Sequence, residues 1–285
     1  MRTTHRRHGK ATASLALATL AVFGAAAHAQ DTSDKKSQSR ALDNISLWVG
    51  GYYTNNDTTI GAKTSTLNSR GDVNLEKDLD FKKHKTVPRV RLDFLIGEHQ
   101  GFALDYYEVN RSKSKTLSED INFLGNPIDA TANVKGNLKF TFGSVAYKWW
   151  FGTGDDVFGL GIGAAYYKVH ASINGSAELN GESVAEGAST NTSAWAPNLQ
   201  VGWRHAFGDQ WRMYVNASGV KKNGGSLNGH IFDTAIGLEY FPWQNVGIGA
   251  EYAYTKIKLN QDRSRYDLDL DMKLNGPAAY IRFRF

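Results

Sequence analysis

Residues 195–207 read Trp-Ala-Pro-Asn-Leu-Gln-Val-Gly-Trp-Arg-His-Ala-Phe. Trp195, Pro197, Leu199, Val201, Trp203 and Phe207 share one parity. Asn198, Gln200, Gly202 and Arg204 share the other, and only His205 interrupts the apolar set. Successive side chains of a strand point to opposite faces, so the stretch predicts a strand with one apolar and one polar face.

The pattern recurs along the chain. Pro88, Val90, Leu92, Phe94 and Ile96 alternate with Arg89, Arg91, Asp93 and Leu95. Phe158, Leu160, Ile162, Ala164 and Tyr166 alternate with Gly159, Gly161, Gly163 and Ala165. Phe232, Ile236, Leu238 and Tyr240 alternate with Asp233, Ala235, Gly237 and Glu239. Val246, Ile248, Ala250, Tyr252 and Tyr254 alternate with Gly247, Gly249, Glu251 and Ala253, and Pro277, Ala279, Ile281, Phe283 and Phe285 stand opposite Arg282 and Arg284. No sustained 3.6-residue apolar pattern appears in the chain after its first thirty residues.

A soluble β-sandwich also alternates, with its large apolar residues inside. Two features favour the inverse arrangement, a barrel with an apolar outside. The polar sets hold many glycines and charges of both signs, which suits a narrow closed interior. The apolar sets end in aromatics beside short turns, at Trp149, Trp150, Phe151, Phe207, Trp211, Phe241 and Trp243, where an aromatic girdle at a membrane interface would lie.

These readings predict an all-β, antiparallel up-and-down transmembrane barrel. Ten strands are expected, at 44–54, 86–97, 101–111, 131–151, 157–172, 192–207, 210–222, 229–241, 246–259 and 266–285, within a range of eight to twelve. The connections at 97–100, 152–156, 208–210 and 242–245 are short. Those at 55–85, 112–130 and 173–191 are long and polar. Outer-membrane barrels have short periplasmic turns and longer extracellular loops. Residues 58–80 have room for an extra hairpin, or for a short helix around Leu75 to Leu79. Leu268, Leu270, Met272 and Leu274 have the parity opposite to the strand that follows, which a bulge at Asn275-Gly276 would reconcile.

The first residues read as an export signal: Arg2, Arg6, Arg7 and Lys10, then an apolar run from Leu15 to Ala27, then Ala27-His28-Ala29 as a small-x-small cleavage site before Gln30. The run is too short to span a bilayer. The expected division is a signal peptide over 1–29, a periplasmic tail over 30–43 and the barrel over 44–285. Of 33 Lys and Arg, four precede Gln30, leaving 29 against 28 Asp and Glu. The pI of about 9.2 is therefore largely the leader's, and the mature chain carries no basic domain for nucleic acid. There is no cysteine, so no disulfide holds the fold.

The ending Ala279-Tyr280-Ile281-Arg282-Phe283-Arg284-Phe285 resembles the C-terminal signature of outer-membrane barrels. The resemblance implies an assembly signal at Tyr280, Phe283 and Phe285, recognised by the barrel-assembly machinery. Val73-Asn74-Leu75-Glu76-Lys77-Asp78-Leu79, Thr86-Val87-Pro88-Arg89, Leu104-Asp105-Tyr106-Tyr107 and Arg111-Ser112 resemble a group of small proteobacterial outer-membrane barrels with no settled activity. That likeness brings no catalytic residues.

Five histidines follow the leader: His84, His99, His170, His205 and His230. His170 with Ser172, or His230 with Asp233, would be the pairs to test for hydrolytic chemistry, although neither shows a recognised motif. His205 next to a turn reads as interfacial. Asp267, Asp269 and Asp271 alternate on one strand face, where they would attract a divalent cation or, more simply, be solvated. No cofactor or metal is expected. The inward charges are Arg89, Arg91, Asp93, Asp105, Arg204, Arg212, Asp233, Glu239, Glu251, Arg282 and Arg284. Buried charges need partners, and small barrels are filled by side chains, so a mostly plugged polar lumen is expected. The stretch Arg111-Ser112-Lys113-Ser114-Lys115 is a candidate contact for lipopolysaccharide phosphates. The expected role is structural or surface interaction in the bacterial outer membrane, without turnover. The alternatives are a narrow channel for small polar solutes and an outer-membrane lipid hydrolase or protease.

Overall fold

The computed structural model describes residues 39–64, 69–117, 121–123, 126–128, 132–179, 182–224, 227–262 and 266–285. The chain divides into Met1–Lys36 and Ser37–Phe285. The expected signal peptide and most of the expected tail lie outside the described residues.

The strands in chain order are β1 (Ile45–Thr64), β2 (Ser69–Asn74), β3 (His84–Ile96), β4 (Gln100–Leu117), β5 (Ile121–Phe123), β6 (Asn126–Ile128), β7 (Ala132–Phe151), β8 (Asp156–Leu179), β9 (Glu182–Phe207), β10 (Trp211–Lys222), β11 (Leu227–Tyr240), β12 (Val246–Asp262) and β13 (Tyr266–Arg284). β1, β3, β4 and β7 to β13 pair in that order, each antiparallel to the next. β13 returns to β1 from Ser46↔Arg284 to Thr64↔Tyr266. The result is a closed, up-and-down barrel with no free edge along its length below the loops. β2 adds a hairpin to the upper part of β1, and β5 pairs only with β6.

The expected parity sets the wall. Leu199, Ile162, Leu160, Phe158 and Ile248 are all more than half exposed, while Arg89, Arg204, Arg212, Glu239, Glu251 and Arg282 are buried. On most strands the outward apolar set spans about nine residues, the length a tilted strand needs to cross hydrocarbon. It runs from Ile45 to Tyr53 on β1 and from Pro277 to Phe285 on β13. Beyond it the outward residues turn polar, as at Asn55 and Asp57, or Ser193 and Asn191.

Several strands are longer than the alternation predicts. β8 and β9 stay paired up to Leu179↔Glu182, through the expected loop at 173–191. An outward lipid face no longer marks these residues, but the inward face continues with Val169, Ala171, Ile173, Thr190 and Ala194, all buried. In the 58–80 region the hairpin forms and the short helix does not: Leu75 to Asp78 make a turn.

The expected bulge at Asn275-Gly276 is absent. Pairing with β12 runs unbroken through Tyr252↔Pro277, Ala253↔Gly276 and Tyr254↔Asn275. Leu270, Met272, Leu274, Ala278, Tyr280 and Arg282 all face inward. What changes is the interior, which is charged in the half near the short turns and aliphatic in the half near the loops. Gly276 has φ +153° and a Cβ there would lie 2.2 Å from the Tyr53 carbonyl oxygen, so the strand passes a spot that only glycine fits.

The girdle needs two corrections. Trp149, Phe151, Phe207, Trp211 and Trp243 are exposed at the turn end, but Trp150 and Phe241 are buried. Trp150 falls between outward Trp149 and Phe151 and shares the parity of Lys148. Phe241 continues the inward series of Gly237 and Glu239.

Candidate functional site

The lumen at the level of the apolar belt is crossed by one connected set of charges. Arg212 on β10 holds Asp43 with both terminal nitrogens, at 2.7 and 2.8 Å, and lies 3.7 Å from Glu239. Arg282 on β13 donates to Glu239 at 2.9 Å, to the Ser46 hydroxyl at 2.6 Å and to Asp93 at 3.3 Å. Arg204 on β9 reaches the same Asp93 oxygen from across the barrel. Arg91 donates twice to Glu251, at 2.7 and 3.0 Å, and Arg89 bridges Asp105 on β4 and Asp233 on β11. The Tyr280 hydroxyl lies 2.9 Å from that of Tyr214 and 3.0 Å from Glu239, and Tyr214 donates to Glu251. Paired, hydrogen-bonded charges of this kind escape most of the cost of burial without partners.

Rings fill the space between the charges. Arg91 lies over Trp48, Arg204 over Trp150 at 4.4 Å, and Trp48 stacks on Tyr280 at 4.6 Å. Between Arg89, Asp105, Lys148, Gln200, Asn216 and Ser218 a cavity of about 70 Å³ remains. Arg284 joins the set only at its margin, 3.9 Å from Asp43. It lies at the turn-end rim with its guanidinium 3.8 Å from the Phe241 ring centre and donates to the Gln244 carbonyl. Of the residues expected as an assembly signal, Tyr280 faces this lumen, whereas Phe285 is exposed.

The turn-end mouth is occupied by Ser39 to Asp43, which the sequence reads as the end of a tail. Ala41 and Leu42 are buried with Trp150, Val157 and Ala206. The Ser39 hydroxyl donates to the Gly154 carbonyl at 2.5 Å and accepts from the Ala41 amide. Burial alone would raise the Asp43 carboxyl, but the Arg212 guanidinium beside it, with Arg282 and Arg204, holds it down at about 2.

Toward the loops the segment after β2 folds into the barrel. Leu75, Leu79 and Phe81 are buried with Val109, Leu138 and Phe140. Asn74 caps the turn by accepting from the Lys77 and Glu76 amides. Arg111 forms a buried ion pair with Glu76 and donates to Thr58 and to the Lys82 carbonyl. Arg111 is thus buried and ties down this segment, and Lys115 of the same basic stretch is paired with Asp80 at 3.0 Å. The alternation gave no warning of this inward turn; its one sequence signal is the cluster of Leu75, Leu79 and Phe81 within a loop.

His230 is exposed on the outer face while Asp233 lies inside, so that pair is not brought together. His170 is exposed, and Ser172 accepts a hydrogen bond from Asn137. His84 stacks on Tyr53, and His99 lies 3.8 Å from Glu98. His205 Nδ1 lies 2.8 Å from Asp156, whose same oxygen accepts from the Trp203 indole. Asp269 accepts from Asn260, and Asp271 pairs with Lys258; the Asp267 side chain lies outside the described residues. Among the described residues no three metal-ligating side chains are grouped to hold an ion.

No family model and no curated protein matches the chain. The solved outer membrane protease OmpT from Escherichia coli is similar in fold, with a TM-score of 0.53 and 10% identity over 85% of this chain and 97% of that one. The outer membrane protein OprG from Pseudomonas aeruginosa aligns with a TM-score of 0.40 at 9% identity, over 87% of this chain and 100% of that one. The fold is therefore that of bacterial outer-membrane β-barrels.

Proposed function

We propose that the chain resides in the bacterial outer membrane as a closed, non-conducting barrel with a structural or surface-interaction role and no turnover. The observation that carries this reading is the set of cross-lumen ion pairs. Arg204 on β9 meets Asp93 on β3, Arg91 on β3 meets Glu251 on β12, and Arg89 on β3 meets Asp233 on β11. A continuous water path would require these pairs to separate, leaving charges without partners. Ser39 to Asp43 at one end and Leu75, Leu79 and Phe81 at the other support the same reading.

Lipopolysaccharide is the partner this reading implies. Lys256 and Lys273 stand directly opposite each other on the outer faces of β12 and β13, with Asp57 on β1 across from Lys273; Lys221 and His230 follow in the next row, where Lys258 is paired with Asp271. Like charges side by side disfavour the sheet, and an anion shared between them relieves that. The row lies just past Tyr252 and Tyr254, the height of lipid phosphates. The outward Phe283 and Phe285 are offered as the handle for the assembly machinery.

The deciding experiment is planar-bilayer recording of the refolded mature chain. No steady conductance step is expected; a reproducible ohmic step from folded barrels would overturn the closed reading. For the partner, Lys256→Glu with Lys273→Glu should reduce co-purifying lipopolysaccharide several-fold, and unchanged retention would remove that assignment.

A further inference from the structure

The aliphatic upper interior is not completely filled. Among β8, β9 and the loop-end portions of β1, β11, β12 and β13 lies a cavity of about 40 Å³. Its floor is Ile60, Val169, Ile173, Leu227, Leu259 and Leu270, with Ala171 between them. Ser172, Ser189, Thr190, Thr192, Gln261 and the Asp269 carboxylate supply polar atoms at its side, and the Thr190 hydroxyl donates to Gln261. Among the described residues lining it there is no aromatic ring and no Lys, Arg or His.

The wall is stepped beside this cavity. β10 pairs with β9 only as far as Val220↔Asn198, while β9 continues upward to Glu182. Thr190 and Thr192 therefore sit on a part of β9 that has no β10 partner. The step begins at Asn198, just on the turn side of the outward Tyr166–Trp195 pair, at the upper edge of the apolar belt. Thr192 on this stretch is half-buried, so the hydroxyl side of the cavity lies beside the step.

We propose that this cavity binds the end of an unbranched alkyl chain carrying an uncharged, hydroxyl-type head. The volume matches roughly three waters, hence a chain end of about three methylenes. An aromatic ligand finds no ring to stack on. A carboxylate head finds no cation, and an ionised group brought there would lose hydration without compensation. The hydroxyls of Thr190 and Thr192 and the Gln261 amide suit a hydroxyl head. This site does not depend on whether the charged lumen below it conducts.

The test uses the full mature barrel in lipid nanodiscs, with methyl-labelled Leu and Ile, titrated with 1-octanol and with octanoate at pH 8. Saturating shifts are expected at Leu227, Leu259 and Leu270. Leu160 and Leu199 on the lipid face should drift without saturating, as partitioning requires. Octanoate should bind at least tenfold more weakly. Ala171→Phe, which fills the cavity, should abolish saturation while its spectrum and its heat-modifiable gel mobility report a folded barrel; Leu227→Phe serves if that variant does not fold. Absence of saturating interior shifts in the unaltered protein, or their persistence in the filled variant, overturns the site. Equal affinity for octanoate overturns the assignment of the head.

Discussion

At the residue scale the lumen is a set of rings seated in glycine slots. A Cβ on Gly237 would lie 2.3 Å from the Tyr214 ring, and one on Gly249 would lie 2.3 Å from the Tyr280 ring. Those two tyrosines join Glu239 to Glu251, so the glycines act on the charges through them. Gly249→Ala should destabilise the barrel by about 2 kcal/mol through overpacking, read as a lower urea midpoint in vesicles. Gly143→Ala, whose Cβ would meet only Tyr106 at 3.8 Å, should stay within about 0.5 kcal/mol. Glu239→Gln leaves Arg282 and Arg212 short of a counter-charge and should cost about 3 kcal/mol. That glycines and charges share one parity was legible in the sequence. Which ring fills which glycine was not, because it depends on cross-strand register. Trp150 and Phe241 were legible and misread: their place beside turns was given weight over their parity.

At the element scale two segments outside the alternation close the interior, one at each end. The segment before β1 is anchored by Asp43, whose carboxyl is held at about 2. Its folded value lies below the ordinary carboxylate value, so its contribution is full above about pH 4 and is lost as pH falls through 2. The shift corresponds to roughly 2 kcal/mol. Hydrogen exchange of residues 39–43 should accelerate between pH 4 and pH 2 beyond the intrinsic pH effect, and in Asp43→Asn it should be fast throughout. Exchange that stays slow to pH 2 would show that the anchor lies elsewhere. At the loop end Leu79→Ala should cost about 3 kcal/mol and raise protease sensitivity after β2, because Leu79 packs in contact range of Gly136. The sequence offered only weak signals for either segment. A plug follows no repeat, and its apolar residues look like loop residues until the cavity they fill is known.

At the scale of the whole molecule the barrel is two barrels stacked end to end. In the membrane-spanning half the outside is oily and the inside charged. In the half beyond Tyr53, Tyr106 and Trp195 the outside is polar and the inside aliphatic, the ordinary arrangement of a water-soluble barrel. The outward face alone made the first half readable, since lipid demands nine or so residues of strict alternation. Much of the second half, at 55–64 and 173–191, was read as loop because its outward face resembles loop sequence, while 266–285 was read as one strand through it; the inward Val169, Ala171 and Ile173, or Leu270, Met272 and Leu274, carry its strand signal. The boundary between the halves is testable on one strand. Val201 and Ser193 both point outward from β9, four residues apart on that parity, one in the belt and one above it. Val201→Arg should destabilise the barrel in lipid vesicles by about 2–4 kcal/mol, the cost of a guanidinium near the bilayer midplane. Ser193→Arg should change stability by less than about 0.5 kcal/mol, because its side chain already meets water. Equal effects at the two positions would mean that the apolar belt does not face lipid. A larger effect at Ser193 would place the membrane around the upper half instead.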